Sequence, residues 1–117
     1  MHKNWIEHRR GMDAELLGWM QSIGDGFIAI DLLGWSRTGI VDWLTAEETL
    51  ESLGIGYLAE PFELLLDTGE WLRVRVTEVS TDGIRVKKDD WGATGAPQMF
   101  YALDFPVPKE TFRSLDN

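Results

Sequence analysis

The chain has 117 residues, of which 44 % are hydrophobic, with 20 acids against 11 lysines and arginines, a net charge of −9 and no cysteine. This hydrophobic content belongs to a folded chain, and the length suits one domain, residues 1–117, around one core. Without cysteine there are no disulfides, thiolate zinc sites or cysteine nucleophiles, and the acid excess disfavours nucleic acid and anionic lipid as partners of the whole molecule.

The opening MHKNWIEHRR is charged and lacks the apolar run of a signal peptide. Residues 1–11 read as a mobile polar lead-in carrying both histidines, His2 and His8, solvated and at a spacing that matches no ligand pattern. Asp13 is placed to cap a helix running to about Ile23, because Leu16, Leu17, Met20 and Ile23 share a helical face, with Gly24 as its stop. Gly26 to Leu33 reads as a strand bounded by glycines. The longest nearly apolar stretch, Gly26 to Trp35, is interrupted by Asp31 and is far too short to span a bilayer. The expectation is a soluble, cytoplasmic protein with no membrane partner.

Residues 36–44 fit either a turn and a strand, Ile40 to Leu44, or a helix capped by Ser36. Gly39 tips the balance to the strand, since glycine weakens a helix by about 1 kcal/mol. Thr45-Ala-Glu-Glu48 has the form of a capping box, with acids suited to the first turn of a helix that Gly54 closes.

From Pro61 the rhythm is β. Phe62 to Leu66, a turn at Asp67-Thr-Gly-Glu70, a long alternating strand from Trp71 to Ser80, a turn at Thr81-Asp-Gly83 and a strand from Ile84 to Lys87 follow in order. A loop from Asp89 to Pro97 and a strand from Met99 to Phe105 come next, and Pro108 starts a short terminal helix with Phe112 and Leu115 turned inward. This succession over residues 60–107 is similar to small SH3-like and Sm-like barrels, as a general hairpin rhythm shared with them. The fold class expected is α+β: a small bent antiparallel sheet or half-barrel with two to three short helices. An exposed sheet edge would allow two copies to pair as a homodimer.

No catalytic residue, metal ligand or cofactor is assigned from the sequence. Glycine-rich phosphate loops and G-x-S-x-G are missing, and Asp89-Asp90 lacks the rhythm of a calcium loop. An ordinary enzyme is disfavoured, although a hydrolase using carboxylates that converge only in the fold is kept as an alternative.

Charge is unevenly spread. Gly11 to Glu70 holds twelve acids and one cation, Arg37, a net of −11, whereas Trp71 to Lys88 holds five cations and two acids, a net of +3. The main reading is a non-enzymatic protein-binding module of the inhibitor, immunity or adaptor type. Its acidic face, Asp42, Glu47, Glu48 and Glu51, docks a positively charged protein, with Trp35, Trp43 or Trp71 as aromatic anchors. The alternative is a small barrel that binds RNA or single strands through a phosphate-binding strip, Arg73, Arg75, Arg85 and Lys87, with Trp71 or Trp91 for stacking.

Overall fold

A computed structural model describes residues 5–89 and 99–115, so His2, Asp90 and Trp91 lie outside the described residues. The chain divides into two compact units, residues 1–55 and 56–117.

The first unit is a three-stranded antiparallel sheet with one helix. Strand β1 (Trp5–Arg9) pairs with β2 (Leu16–Ile23), which pairs with β3 (Gly26–Ile30). Helix α1 (Trp43–Leu53) lays Ala46 and Leu50 on Leu17, Met20 and Ala29, with Phe27, Val41 and Ile55 at the margin. The helix expected over residues 13–23 is therefore a strand. Leu17, Gly18, Trp19 and Met20 are all buried. A central strand covered on both faces reads as an unbroken apolar run, which mimics a helical face. Gly24, taken as a helix stop, occupies the left-handed region (φ 56°) in the two-residue turn between Ile23 and Gly26. The expected lead-in is likewise a strand over its described part, because Trp5 to Arg9 pair with β2.

Gly18 is the tightest point of this sheet. Its φ of 153° is unusual for any side chain, and a Cβ there would sit 2.2 Å from the Ile30 carbonyl oxygen. Backbone cannot move aside as a flexible side chain does. Gly18→Ala is expected to lower the unfolding free energy by more than about 2 kcal/mol in urea titration. Gly39→Ala, where no atom lies within 4 Å, should stay close to wild type.

The start of α1 also differs from expectation. Asp42 is the N-cap: the Thr45 backbone N–H donates to Asp42 Oδ1 at 2.8 Å, and Thr45 itself lies inside the helix. Asp is among the strongest N-caps, so it takes this role ahead of Thr45. Glu47 and Glu48 consequently fall beyond the first turn, which contains no acid. Gly54 does close the helix, at φ 60° with its N–H on Leu50 O. Of the strand expected at Ile40 to Leu44, Val41 alone pairs, in an isolated bridge to Phe27.

The second unit begins with a single 3₁₀ turn, Gly56–Ala59, and continues as a five-stranded antiparallel sheet. Strands β4 (Phe62–Leu65), β5 (Trp71–Ser80), β6 (Gly83–Lys88), β7 (Phe100–Leu103) and β8 (Phe112–Ser114) are ordered β7-β6-β5-β4-β8. Phe62, Leu64, Val74, Ile84, Val86 and Phe112 are buried, and the Phe62 and Phe112 rings stack at 4.8 Å. The terminal helix expected after Pro108 is β8, which pairs with the outer edge of β4.

The barrel expectation is overturned at this point. Closure requires the outermost strands to pair, but β8 extends the sheet past β4 and leaves β7 at the far edge. The described residues form two open sheets with a single α-helix, a largely β fold in place of an α+β one with two to three helices. Among them no helix is long and apolar enough to cross a membrane.

Candidate functional site

Asp31, met in the sequence only as an interruption of an apolar run, is fully buried. Arg37 Nε donates to its Oδ2 at 2.7 Å, and the Leu33 and Trp35 backbone N–H groups both donate to its Oδ1 at 2.9 Å. The carboxylate thus organises the whole 31–37 loop. It also occupies Arg37, the sole cation between Gly11 and Glu70, within the fold. Trp35, one proposed anchor, is half-buried in this loop and is no free projection.

The loop delivers the chain to α1, where the unit exposes apolar surface. Ile40 is 63 % exposed, Trp43 39 % and Leu44 59 %. Trp43 is steadied by an edge-on contact with Phe27, ring centroids 5.1 Å apart. Ile40 and Leu44 carry no sequence mark that separates them from core residues, and the reading of Ile40 to Leu44 as a strand hid them. Beside this trio stand Asp42 and Glu48, both exposed. A shallow groove continues along the helix past Thr45, Glu48, Thr49 and Ser52.

The four acids assigned to one face do different things. Asp42 caps the helix. Glu47 and Glu51 turn toward His8 of β1: His8 Nε2 donates to Glu51 Oε2 at 3.0 Å, and Nδ1 lies 4.0 Å from Glu47 Oε2. The histidine expected in solvent is 8 % exposed, because β1 lays it against α1. Its partners lie 39 and 43 residues away, beyond the reach of any local pattern. Of the four, Glu48 alone is both exposed and uninvolved in a hydrogen bond or ion pair among the described residues.

Hydrogen bonds from Thr45, side chain first and backbone second, hold the Asp42 carboxyl below the usual carboxylate range. A carboxyl lowered on folding stabilises the folded state above its unfolded value near pH 3.9, and that contribution fades as pH falls through the lower folded value. The protection factor of the Thr45 amide, corrected for its intrinsic exchange rate, should therefore fall on acidification below about pH 4, and Asp42→Ala should remove that pH dependence.

In the second unit the register places Arg73 and Arg75, Lys87 opposite Arg75, and Arg85 two residues before Lys87 on one face. The strip exists, but much of it is neutralised locally. Arg73 and Arg75 both reach Asp89 Oδ2, at 2.8 and 3.3 Å. Trp71 lies beneath Arg113, whose Cζ is 3.7 Å from the ring centroid, and Arg113 also pairs with Glu63 at 2.9 Å. The proposed stacking surface is thus already occupied by a cation–π contact.

Comparison with protein families, with curated proteins and with solved structures finds no match to this chain.

Proposed function

We propose that the first unit is a non-enzymatic docking module, of inhibitor or adaptor type, that binds a positively charged protein. Trp43, Leu44 and Ile40 seat in an apolar pocket of the partner, and Asp42 and Glu48 meet lysines or arginines at its rim. The observation that carries this reading is the exposure of three large apolar side chains within five residues, at 63, 39 and 59 %, beside unneutralised carboxylates. Buried aromatic and aliphatic anchors supply most of the energy of a protein interface, and a charged rim speeds encounter and selects the partner. The single-strand alternative is less well supported: a base reaches Trp71 only by displacing Arg113, and phosphates compete with Asp89 for Arg73 and Arg75.

The test is capture from a lysate of the native host at low and high salt, with Glu48→Lys for comparison. The expected partner carries a basic surface, its capture falls several-fold with added salt, and Glu48→Lys weakens it further. Capture indifferent to both changes sinks the proposal. Glu48→Lys is the clean probe, since reversing Glu47 or Glu51 would also break the contact with His8.

A further inference from the structure

We propose that His8, Glu47 and Glu51 form a site for one divalent transition-metal ion of the zinc type, tying strand β1 to helix α1. The inference is independent of the docking reading, since it needs neither a partner nor the apolar trio.

Two elements build the site. Glu47 and Glu51 are four residues apart on α1 and so rise from one helix face. His8 approaches from β1, where its pairing with Gly18 directs the ring to the helix side of the sheet. Gly18 has no side chain to block that approach. One donor atom from each of the three residues lies within 4.8 Å of the others.

The distances suit a small ion. On bonds of about 2.1 Å at tetrahedral angles, the ligand atoms of zinc stand about 3.4 Å apart. His8 Nε2 and Glu51 Oε2 are already 3.0 Å apart. Glu47, whose side chain is one-third exposed, closes the remaining gap by rotation about its own torsions. An imidazole with two carboxylates is a borderline donor set, suited to Zn²⁺ and its neighbours and poorly suited to Ca²⁺ or Mg²⁺, which prefer oxygen alone.

Electrostatics asks for a cation here. A carboxylate only accepts, so the 3.0 Å contact requires a proton on His8 Nε2, and a neutral ring carries no second one on Nδ1. Nδ1 is then a bare lone pair, side chain nine-tenths buried, 4.0 Å from Glu47 Oε2 and with no hydrogen-bond donor among the described residues. A buried acceptor facing a carboxylate is unfavourable. A divalent ion in place of the Nε2 proton leaves the ring hydrogen on Nδ1, so that no bare lone pair faces Glu47, and it offsets both negative charges. Glu51, about half exposed, provides the entry path.

The experiment is a titration of the full chain with ZnCl₂ near pH 7.5, followed by calorimetry, thermal unfolding and the ring resonances of His8. One equivalent should bind, the His8 ring signals should shift, and a roughly 100-fold excess over the dissociation constant should raise Tm on the order of 10 °C. Glu51→Gln should weaken binding at least tenfold, while Glu70→Gln, in a turn of the second unit, should leave it unchanged. Acidification should release the ion, because metal binding displaces protons from its ligands. The wild-type ring signals keep the test decisive even where a variant folds poorly. Absence of saturable Zn²⁺ binding, binding that leaves the His8 ring unmoved, or binding indifferent to Glu51→Gln overturns the proposal. So does a His8 that titrates with pH while Zn²⁺ leaves it unchanged, which would assign the site to a proton alone.

Discussion

Asp31→Ala is expected to lower the unfolding free energy by about 3–5 kcal/mol, measured by urea denaturation with far-ultraviolet circular dichroism. The substitution strips acceptors from the Leu33 and Trp35 backbone N–H groups and leaves Arg37 without its carboxylate. Leu33 is fully buried, so water cannot replace the lost acceptor there. Arg37 is one-third exposed and can resolvate, which sets the lower end of the range. Asp31→Asn keeps one oxygen for the two N–H groups but loses the charge-assisted bond to Arg37, and should cost about 1–3 kcal/mol. Against a typical total of about 5–15 kcal/mol, that loss is a large fraction and should lower Tm by about 10 °C or more. An Asp31→Ala chain within about 1 kcal/mol of wild type would show that the loop is held some other way.

Trp43→Ala combined with Leu44→Ser is expected to weaken partner binding by at least about 30-fold, because a single anchor of this kind carries about 2 kcal/mol or more at an interface. The same pair should change stability little. Leu44 is 59 % exposed, and Trp43 loses chiefly its edge-on contact with Phe27, worth about 0.5–1.5 kcal/mol. Calorimetric titration of the captured partner, alongside urea melts of both chains, separates the two effects. A variant that folds as well as wild type and binds equally tightly would remove the apolar trio from the interface.

Legibility in the sequence followed the reach of each interaction. Residues 62–88 were read almost to the residue, because one face is buried, the alternation is clean, and Gly69 and Gly83 mark the turns between strands. The register of the cationic strip followed from the same alternation. Strand β2 reads as a helix because burial on both faces erases the period of two. Strand β8 is hidden because Pro108 suggests a helix start, whereas the pairing of Phe112 with Leu64 is a distant event. Each error in the site has a similar origin. His8 meets Glu51 across 43 residues, Arg113 meets Glu63 across 50, and Trp71 is covered by that same Arg113. Asp31 alone had a local signal: an acid inside an apolar run, with Gly34 and Arg37 shortly after, describes a loop folded around its own carboxylate.

The surface that the partner touches decides between the acidic helix and the cationic sheet. Hydrogen exchange of the chain, free and bound to its captured partner, tests this most directly. Protection should concentrate in the amides of residues 40–51, around the start of α1, with the β5–β6 hairpin unchanged. Protection falling instead on residues 71–88, with the helix exchanging as before, would contradict docking through the acidic helix and place the contact on the cationic sheet.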